Sequence, residues 1–262
     1  MSSTIKKLNP SQTNLLLSLY KFRFITRKKL KNYQNTSHAY THYRLTNLLN
    51  QNYISRHYSG KDKLQGKEAI YYLNKDGINY LKQYQKEKID IKTINLAYKD
   101  KIASEVFIEK CLDIVDIYLV MRKLLAGKAQ IYAKAEIREY QFIPKNTDLF
   151  ITQGNKTYII LLFDQSATYA ANRQKAKRII EHFESNRWDE ANQNYPTILA
   201  VCASAYLEKQ VLGFFKASTQ KYGADYLKIL TTTLTSLLNT DGPKYKIWTA
   251  PEEPNELHSI NN

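Results

Sequence analysis

One stretch of the chain, residues 37–52, carries side chains of the types that contact nucleic acid. Its sequence is SHAYTHYRLTNLLNQN. Small and aliphatic residues recur in it at three- and four-residue spacing, which predicts a helix with one buried face. That buried face is Thr41, Leu45, Leu48 and Leu49. The other side of the helix then carries the candidate base-contacting residues Tyr40, Tyr43, Arg44 and Asn47.

These side chains suit the major groove of duplex DNA. Arg44 can donate to both acceptors of a guanine, and Asn47 can pair with the donor and acceptor of an adenine. Tyr40 and Tyr43 can contact thymine methyl groups or phosphates, although each also suits the domain core or a dimer surface. Ser37 lies at the predicted start of the helix, where unpaired backbone N–H groups attract a phosphate.

Basic residues on both sides of this segment supply charge for phosphate contacts. Some lie on the short helix predicted before it, and the others lie on the strand and loop predicted after it. They are Lys28, Lys29, Lys31, Arg56, Lys61, Lys63 and Lys67. Such contacts raise affinity for nucleic acid without reading its sequence. The alternative is a lysine-rich solvated surface with no such partner.

The net charge of +15 is concentrated at the front of the chain. Residues 1–90 carry 17 Lys and Arg against 5 Asp and Glu, whereas the remaining 172 residues carry 22 against 19. This imbalance favours a polyanionic partner, either nucleic acid or an anionic membrane surface. The longest apolar runs fall far short of the ~20 residues that cross a bilayer, so no membrane segment is expected. Because basic residues lie on both the helix before the reading helix and the loop after it, we expect double-stranded DNA as the partner.

The elements predicted around these residues come in the order of a winged helix-turn-helix. Capping residues and hydrophobic spacing predict three helices, then a hairpin whose charged loop is the wing, then a closing helix. Their predicted bounds are 9–22, 26–34 and 37–52 for the helices, 53–58 and 69–73 for the strands, and 74 onward for the closing helix. A DNA-binding domain is thus predicted over 8–86, followed by a linker over 87–97.

The rest of the chain has the alternating pattern of an α/β domain, predicted over 98–250. A long amphipathic helix is expected over 93–125. Strands are predicted after it at 130–134, 148–152, 156–164, 197–203, 226–231 and 244–249, with helices at 169–188 and 205–222. Residues 251–262 are predicted to be a disordered tail. The expected fold class is therefore α+β, with a winged helix followed by an α/β domain.

Several segments resemble the plasmid replication-relaxation proteins. They are LNPSQTNLLLSLYKFRFITRKKL, RLTNLLNQNYISR and IYYLNKDGINYL, and further on KNTDLFI followed by TYIILLFDQ. The resemblance covers roughly residues 8–215 and is most convincing in the N-terminal part. It implies a DNA-binding accessory protein in plasmid DNA relaxation, conjugative transfer or replication, acting at an origin beside a relaxase or a replication protein.

The same resemblance implies a degenerate restriction-endonuclease-like core for the C-terminal domain. In that core one acidic residue opens a strand, and an acid-x-Lys triplet on the next strand helps to hold a divalent metal. Asp148 stands at the first position, but the triplet is Leu162-Phe163-Asp164, which lacks both the acid and the lysine. Asp148, Asp164 and Glu136 still offer oxygen ligands for Mg²⁺, so a metal-dependent endonuclease or nickase is an alternative. Asp164 is also placed to cap the next helix.

Other functional classes find less support in the sequence. There is no Gly-Lys-Ser/Thr phosphate loop and no Gly-x-Ser-x-Gly, and 8 glycines form no dinucleotide fingerprint, so no enzyme, cofactor or bound metal is predicted. Cys111 and Cys202 match no metal-ligand spacing, and no apolar signal stretch follows the N-terminus, which favours a cytoplasmic protein. A transcriptional repressor that forms a homodimer through the helix over 93–125 is the remaining alternative.

Overall fold

A computed structural model of the chain describes residues 7–125, 127–137, 142–185, 187–188, 194–224, 227–240, 242 and 244–260. The structure is 53% helical and 18% strand, with two sheets, so the predicted mixture of α and β elements is confirmed. By its contacts the chain divides into two compact units, Met1–Asp116 and Ile117–Asn262. We call them unit 1 and unit 2.

Unit 1 begins with the three predicted helices, α1 (Pro10–Phe22), α2 (Arg27–Gln34) and α3 (His38–Asn50). The side chains of Asn9, Thr26 and Ser37 each accept a hydrogen bond from a backbone N–H of the following first turn, and so fix the three helix starts. Asn35 ends α2 in the left-handed region at φ 50°, which lets a three-residue turn lead directly into α3.

A small antiparallel sheet completes the centre of unit 1. Its strands are β1 (Ile25–Thr26), β2 (Ile54–His57) and β3 (Ile70–Leu73), in the order β1-β3-β2, with α4 (Gly60–Leu64) between β2 and β3 and α5 (Lys75–Tyr84) after β3. The predicted hairpin and closing helix are confirmed, whereas β1 and α4 were not predicted. Helix α5 approaches the chain before β2 closely, because a Cβ on Gly77 would lie 2.2 Å from the carbonyl oxygen of Tyr53.

The linker predicted over 87–97 is wrong, because this segment is folded within unit 1. It contains a 3-10 helix (Lys86–Lys88), α6 (Ile91–Leu96) and the start of a second 3-10 helix (Ala97–Ile102), and α7 (Glu105–Leu124) follows. Ile94 is fully buried, and the backbone N–H of Asp90 donates to the Tyr20 hydroxyl at 2.8 Å. The single helix predicted over 93–125 is thus three elements, and the boundary between the two units falls after Asp116 rather than at 98.

Unit 2 is built on a seven-stranded sheet. Its strands are β4 (Gln130–Ala133), β5 (Leu149–Gln153), β6 (Lys156–Phe163), β7 (Thr197–Cys202), β8 (Ile229–Thr233), β9 (Trp248–Thr249) and β10 (Leu257–His258). They lie in the order β10-β9-β8-β7-β6-β5-β4, and β6, β7 and β8 are parallel while the other pairs are antiparallel. The six predicted strands are confirmed with shifted ends, apart from residue 226, which lies outside the described residues.

The tail predicted over 251–262 is ordered where the structure describes it. Leu257–His258 pairs with β9, and Ile260 is buried, so the expectation of disorder is wrong for residues 251–260. Residues 261–262 lie outside the described residues. The prediction missed this pairing because a two-residue strand leaves no period-two pattern to detect.

The helices of unit 2 include α8 (Lys134–Ile137), α9 (Tyr169–Glu184), α10 (Ala205–Tyr222) and α11 (Leu234–Leu238). Alternate residues of β6, namely Ile159, Leu161 and Phe163, share one buried cluster with Ile179 of α9 and Phe215 of α10. Since alternate residues of a strand point to the same face, α9 and α10 cover one side of the sheet together. The predicted helix over 205–222 is confirmed, whereas the one predicted over 169–188 ends at Glu184, and residue 186 lies outside the described residues.

Candidate nucleic-acid interface

Helix α3 separates a buried face from an exposed one. Thr41, Leu45 and Leu48 are fully buried as predicted, whereas Leu49 is half-buried. Tyr43 is 62% exposed, the most exposed of the predicted base-contacting residues. The exposed residues of the helix are His38, Ala39, Tyr40, His42, Tyr43 and Asn50.

Arg44 was predicted on the exposed face, and that placement is wrong. The residue is 5% exposed. Its guanidinium donates to the carbonyl oxygen of Ser11 at 3.3 Å, to Ser11 Oγ at 3.0 Å and to Gln34 Oε1 at 2.6 Å, so it joins α1, α2 and α3. Burial lowers the pKa of Arg44 from its usual value. Helical spacing in fact places position 44 on the buried face, because it comes three residues after Thr41 and four before Leu48.

Tyr40 contacts another helix of unit 1 but remains partly exposed. Its hydroxyl hydrogen-bonds to Ser11 Oγ at 2.8 Å, and its ring lies 4.6 Å from the Arg44 guanidinium, yet 45% of the residue remains exposed. Asn47 is half-buried. Tyr43 is therefore the predicted base-contacting residue whose side chain α3 presents most fully.

The three lysines of α2 differ in how far their charge is available. Lys28 is exposed and Lys31 is half-buried, whereas Lys29 forms an ion pair with Asp116 that compensates its charge. Arg27 was not predicted as a site residue, yet its Nη1 lies 3.4 Å from His42 Nδ1. This contact brings the basic first turn of α2 next to the exposed face of α3.

Ser37 has a structural role at the start of α3. Its Oγ accepts a hydrogen bond from the backbone N–H of Tyr40 at 3.2 Å, which makes it the N-cap. The residue is exposed, and the first turn of α3 contains no acidic side chain. The start of α3 therefore keeps the positive end of the helix uncompensated by local acids, as an anion contact requires.

The connection between β2 and β3 exposes all the lysines predicted there. A turn of helix, α4, occupies part of the predicted loop, and its start is fixed by a reciprocal cap. The backbone N–H of Ser59 donates to Asp62 Oδ2 at 2.8 Å, and that of Asp62 donates to Ser59 Oγ at 3.2 Å. Hydrogen bonds from the Ser59 side chain and backbone hold the pKa of Asp62 below its usual value. The exposed basic residues of this region are Arg56, Lys61, Lys63 and Lys67.

The charge distribution at the start of the chain is more extreme than the total suggests. The first acidic residue in the sequence is Asp62, and residues 1–61 contain 11 Lys and Arg. Helices α1, α2 and α3 therefore carry no acidic side chain at all. Within the described residues, carboxylates from later in unit 1 pair with Lys29 and with Arg23, and the other cations of these helices favour a positive surface potential.

In unit 2, Asp148 is held in a buried ion pair. The residue is 3% exposed, and its Oδ2 accepts hydrogen bonds from the Leu162 N–H at 2.9 Å and from Lys175 Nζ at 2.7 Å. Lys175 Nζ also donates to the Leu162 carbonyl oxygen at 2.8 Å. These contacts tie α9 to the sheet, and both of them use the same carboxylate oxygen of Asp148, Oδ2.

The other two carboxylates considered for a metal also have local partners. Asp164 Oδ1 accepts from the backbone N–H groups of Ser166 at 3.1 Å and Ala167 at 3.2 Å, so it caps the turn that leads into α9. Glu136 Oε2 accepts from the backbone N–H of Ala133 at 2.8 Å. Within the described residues, the carboxylates and histidines close enough to share a metal ion are exposed or partly exposed and form a different group, Glu253, Glu256 and His258.

Comparison with known proteins adds no relative to this description. No protein-family model matches the sequence, and no curated protein matches it either. Among the helices of the described residues, none combines the length and apolarity needed to cross a bilayer. The candidate interface is therefore inferred from the charge, exposure and geometry of the residues of unit 1.

Proposed function

We propose that unit 1 is a winged helix-turn-helix domain that binds double-stranded DNA through α3. The succession of α1, β1, α2, α3, β2 and β3 supports this, because the motif has this order with its reading helix third and its wing between the last two strands. The observation that carries the proposal is the exposed face of α3 around Tyr43, set in a segment of 61 residues that contains no acid.

In this proposal α3 enters the major groove, which is about 12 Å wide and admits one helix. Tyr43 is the main base-side contact, and Asn47 is a second one that reaches the groove from a half-buried position. Arg44 does not touch DNA and instead positions α3 against α1 and α2. The exposed basic side chains contact phosphates on either side of α3, and they are Lys28, Arg56, Lys61, Lys63 and Lys67.

The resemblance to plasmid replication-relaxation proteins supports a more specific role. The protein would act as an accessory at a plasmid origin of transfer or replication, beside a relaxase or a replication protein. Unit 2 would then be a degenerate nuclease-like core that contacts those partners without cutting DNA. The ion pair of Asp148 with Lys175 and the capping role of Asp164 favour this over a metal-dependent nuclease.

A salt titration of duplex binding tests the proposal. Fluorescence anisotropy of a labelled duplex should give a log Kd that rises with log salt, and Lys61→Ala with Lys63→Ala should reduce that slope by about 1.8, since each phosphate contact contributes about 0.9. The matched control is Lys86→Ala with Lys88→Ala, which removes two exposed charges from another part of unit 1. Equal slopes for the two variants would contradict a role of the β2–β3 connection in DNA binding.

Two further measurements separate the alternatives. Incubation of a supercoiled plasmid with the protein and Mg²⁺ or Mn²⁺ should leave it intact, whereas nicking that disappears in Asp148→Ala would establish a nuclease. Footprinting at two salt concentrations should show one cluster of sites beside an origin of transfer or replication. Palindromic sites centred on promoters would indicate a repressor instead.

A further inference from the structure

The surface of unit 2 carries a groove between α9 and α10 that has no part in the proposed duplex interface. Its volume is about 490 Å³, and its lining includes the buried Phe214 and the exposed Gly213. The groove runs along residues spaced four apart on α9, namely Tyr169, Arg173 and Lys177, which is the spacing of one helix face. It therefore follows a stripe along both helices.

The charge of the groove is of one sign. Among the described residues, four cationic side chains line it and no acidic residue does, although unit 2 as a whole is only weakly basic. The lining cations are Arg173, Lys177, Lys209 and Lys221. Lys177 also pairs with Glu181 at 3.0 Å, which lies outside the lining. The two lysines that α10 contributes to the lining, Lys209 and Lys221, lie about 18 Å apart along the helix axis, because each residue adds about 1.5 Å.

Aromatic rings lie among these cations. Tyr169 is 57% exposed at the start of α9, and its ring packs edge-on against Phe214 with centroids 4.9 Å apart. Tyr222 lies at the end of α10, with Lys221 Nζ 5.4 Å from its ring centroid. The edge-on contact fixes the Tyr169 ring while its outer part remains open to solvent. One exposed ring, Tyr169, and one half-buried ring, Tyr222, thus line the same groove as the cations.

The combination of cations and aromatic rings favours one class of polyanion over the others. A duplex keeps its bases stacked inside, so it would use the cations but not the rings. An acidic peptide would also use the cations, but its acidic side chains carry no ring that stacks on tyrosine. A single strand presents phosphates and unstacked bases side by side, and its binding sites combine a basic groove with aromatic stacking surfaces.

We infer that the α9–α10 groove of unit 2 binds single-stranded DNA, with its lysines and arginine on the phosphates and Tyr169 and Tyr222 against the bases. This inference does not depend on duplex binding by unit 1. It gives unit 2 a ligand of its own, where the proposed function assigns it only protein contacts. A protein that holds duplex through one unit and an adjoining single strand through the other would suit a site where DNA is being opened.

The test uses the full chain and a labelled oligothymidylate. Lys209→Ala with Lys221→Ala should weaken binding and reduce the slope of log affinity against log salt by about 1.4, at about 0.7 per phosphate on a single strand. The matched control is Arg178→Ala with Lys216→Ala, which removes one exposed charge from each of the same two helices outside the groove lining. Equal losses in the two variants would overturn the inference.

A second pair of variants tests stacking. Tyr169→Leu keeps an apolar cover on Phe214 but removes the ring, and should weaken oligothymidylate binding about tenfold. Tyr206→Leu is the control, since Tyr206 is 74% exposed on α10 outside the lining. Photo-cross-linking with 5-iodouracil in the oligonucleotide should map to Tyr169 or Tyr222 by mass spectrometry. Cross-links confined to unit 1 would contradict the groove.

Parallel measurements keep the two proposals separate. The groove variants should leave duplex affinity unchanged, and an equal loss for duplex would mean that the groove belongs to a duplex interface, which overturns the inference. Oligoglutamate that binds as tightly as oligothymidylate would point to an acidic protein partner and would also overturn it. If Tyr43→Ala leaves duplex binding intact while Tyr169→Leu weakens single-strand binding, the proposed function fails and the inference stands.

Discussion

The two units of the molecule use positive charge differently. Residues 1–116 carry 21 Lys and Arg against 10 Asp and Glu, whereas residues 117–262 carry 18 against 14. In unit 1 most of the residues predicted to contact phosphate, including Lys28, Lys61 and Lys63, are exposed. In unit 2, Lys175 is turned inward and forms a buried ion pair with Asp148. Composition alone shows the first difference but not the second.

Helix α9 shows within one element that the exposure of a cation, and not the number of cations, indicates a binding surface. Arg173 and Lys177 line the open groove, while Lys175, two positions from each, is 15% exposed and bonded to the sheet. A cation whose charge is compensated inside the protein contributes to folding and is not available to a polyanion. In unit 1 an ion pair with Asp116 removes Lys29 from the predicted DNA contacts, and burial against α1 and α2 removes Arg44.

The largest effect is expected when the inward cation of unit 2 is removed. Lys175→Met leaves the Asp148 carboxylate buried without its ammonium partner, which should lower the free energy of unfolding by about 3–5 kcal/mol. Urea unfolding followed by tryptophan fluorescence measures this, because both tryptophans of the chain, Trp188 and Trp248, belong to unit 2.

The surface lysine of the same helix supplies the control. Lys177→Met breaks an exposed pair with Glu181 and should shift the unfolding midpoint little. The double variant Lys175→Met with Asp148→Asn should recover part of the lost stability, because the carboxamide carries no charge to compensate. A Lys175→Met protein as stable as the parent would show that this pair does not hold α9 to the sheet, and the contrast between the units would lose its structural basis.

The next effect concerns two adjacent residues of α3. Arg44→Ala removes a buried group that makes three hydrogen bonds to α1 and α2, and should cost about 2–4 kcal/mol of local stability. Tyr43→Ala should leave stability unchanged and weaken duplex binding. Hydrogen exchange of the amides in 38–50 measures the first quantity and anisotropy the second. Faster exchange in both variants would mean that the face around Tyr43 also supports the fold.

Most of the fold was predictable because its elements are long or capped. Helices α1, α2, α3 and α10 begin next to Asn, Thr or Ser residues that cap them, and those caps are visible in the sequence. The long strand β6 is a continuous apolar run, as expected of a strand buried on both faces. Short elements such as β1 and α4 have no such pattern, since two to five residues cannot show a period.

The candidate site was less predictable than the fold. Arg44 was assigned to the surface because the predicted buried face was limited to Thr41 and three leucines, yet it occupies a core position whose acceptors, Ser11 and Gln34, come from other helices. Likewise, the partner of Lys29 is Asp116, 87 residues away in the sequence. Pairings of this kind depend on tertiary structure, so one sequence cannot reveal which cations remain available. The groove of unit 2 was missed for the same reason, because its lining comes from two helices that meet only in the fold.

The smallest effect is a pH dependence confined to unit 2. Burial lowers the pKa of His182 below its usual value and the nearby Arg187 cation lowers it further, while a backbone hydrogen bond at Phe142 acts in the opposite direction. The unfolded chain therefore takes up this proton first as pH falls below about 6.5, so the stability contributed by neutral His182 is present above that pH and is lost as pH falls towards the lower folded pKa.

Urea midpoints from tryptophan fluorescence should therefore decrease between about pH 7.5 and about pH 5.5, and His182→Gln should flatten part of that decrease. The glutamine amide can still bond to the Tyr195 hydroxyl, which His182 Nδ1 contacts at 3.0 Å, so the fold around Trp188 should persist. His38→Gln, at an exposed position of unit 1, should leave the curve unchanged. A decrease of the same size in the parent and in His182→Gln would show that acid sensitivity lies with other groups. The distinction between exposed and ion-paired lysines would then describe the electrostatics of unit 2 better than the protonation of His182 does.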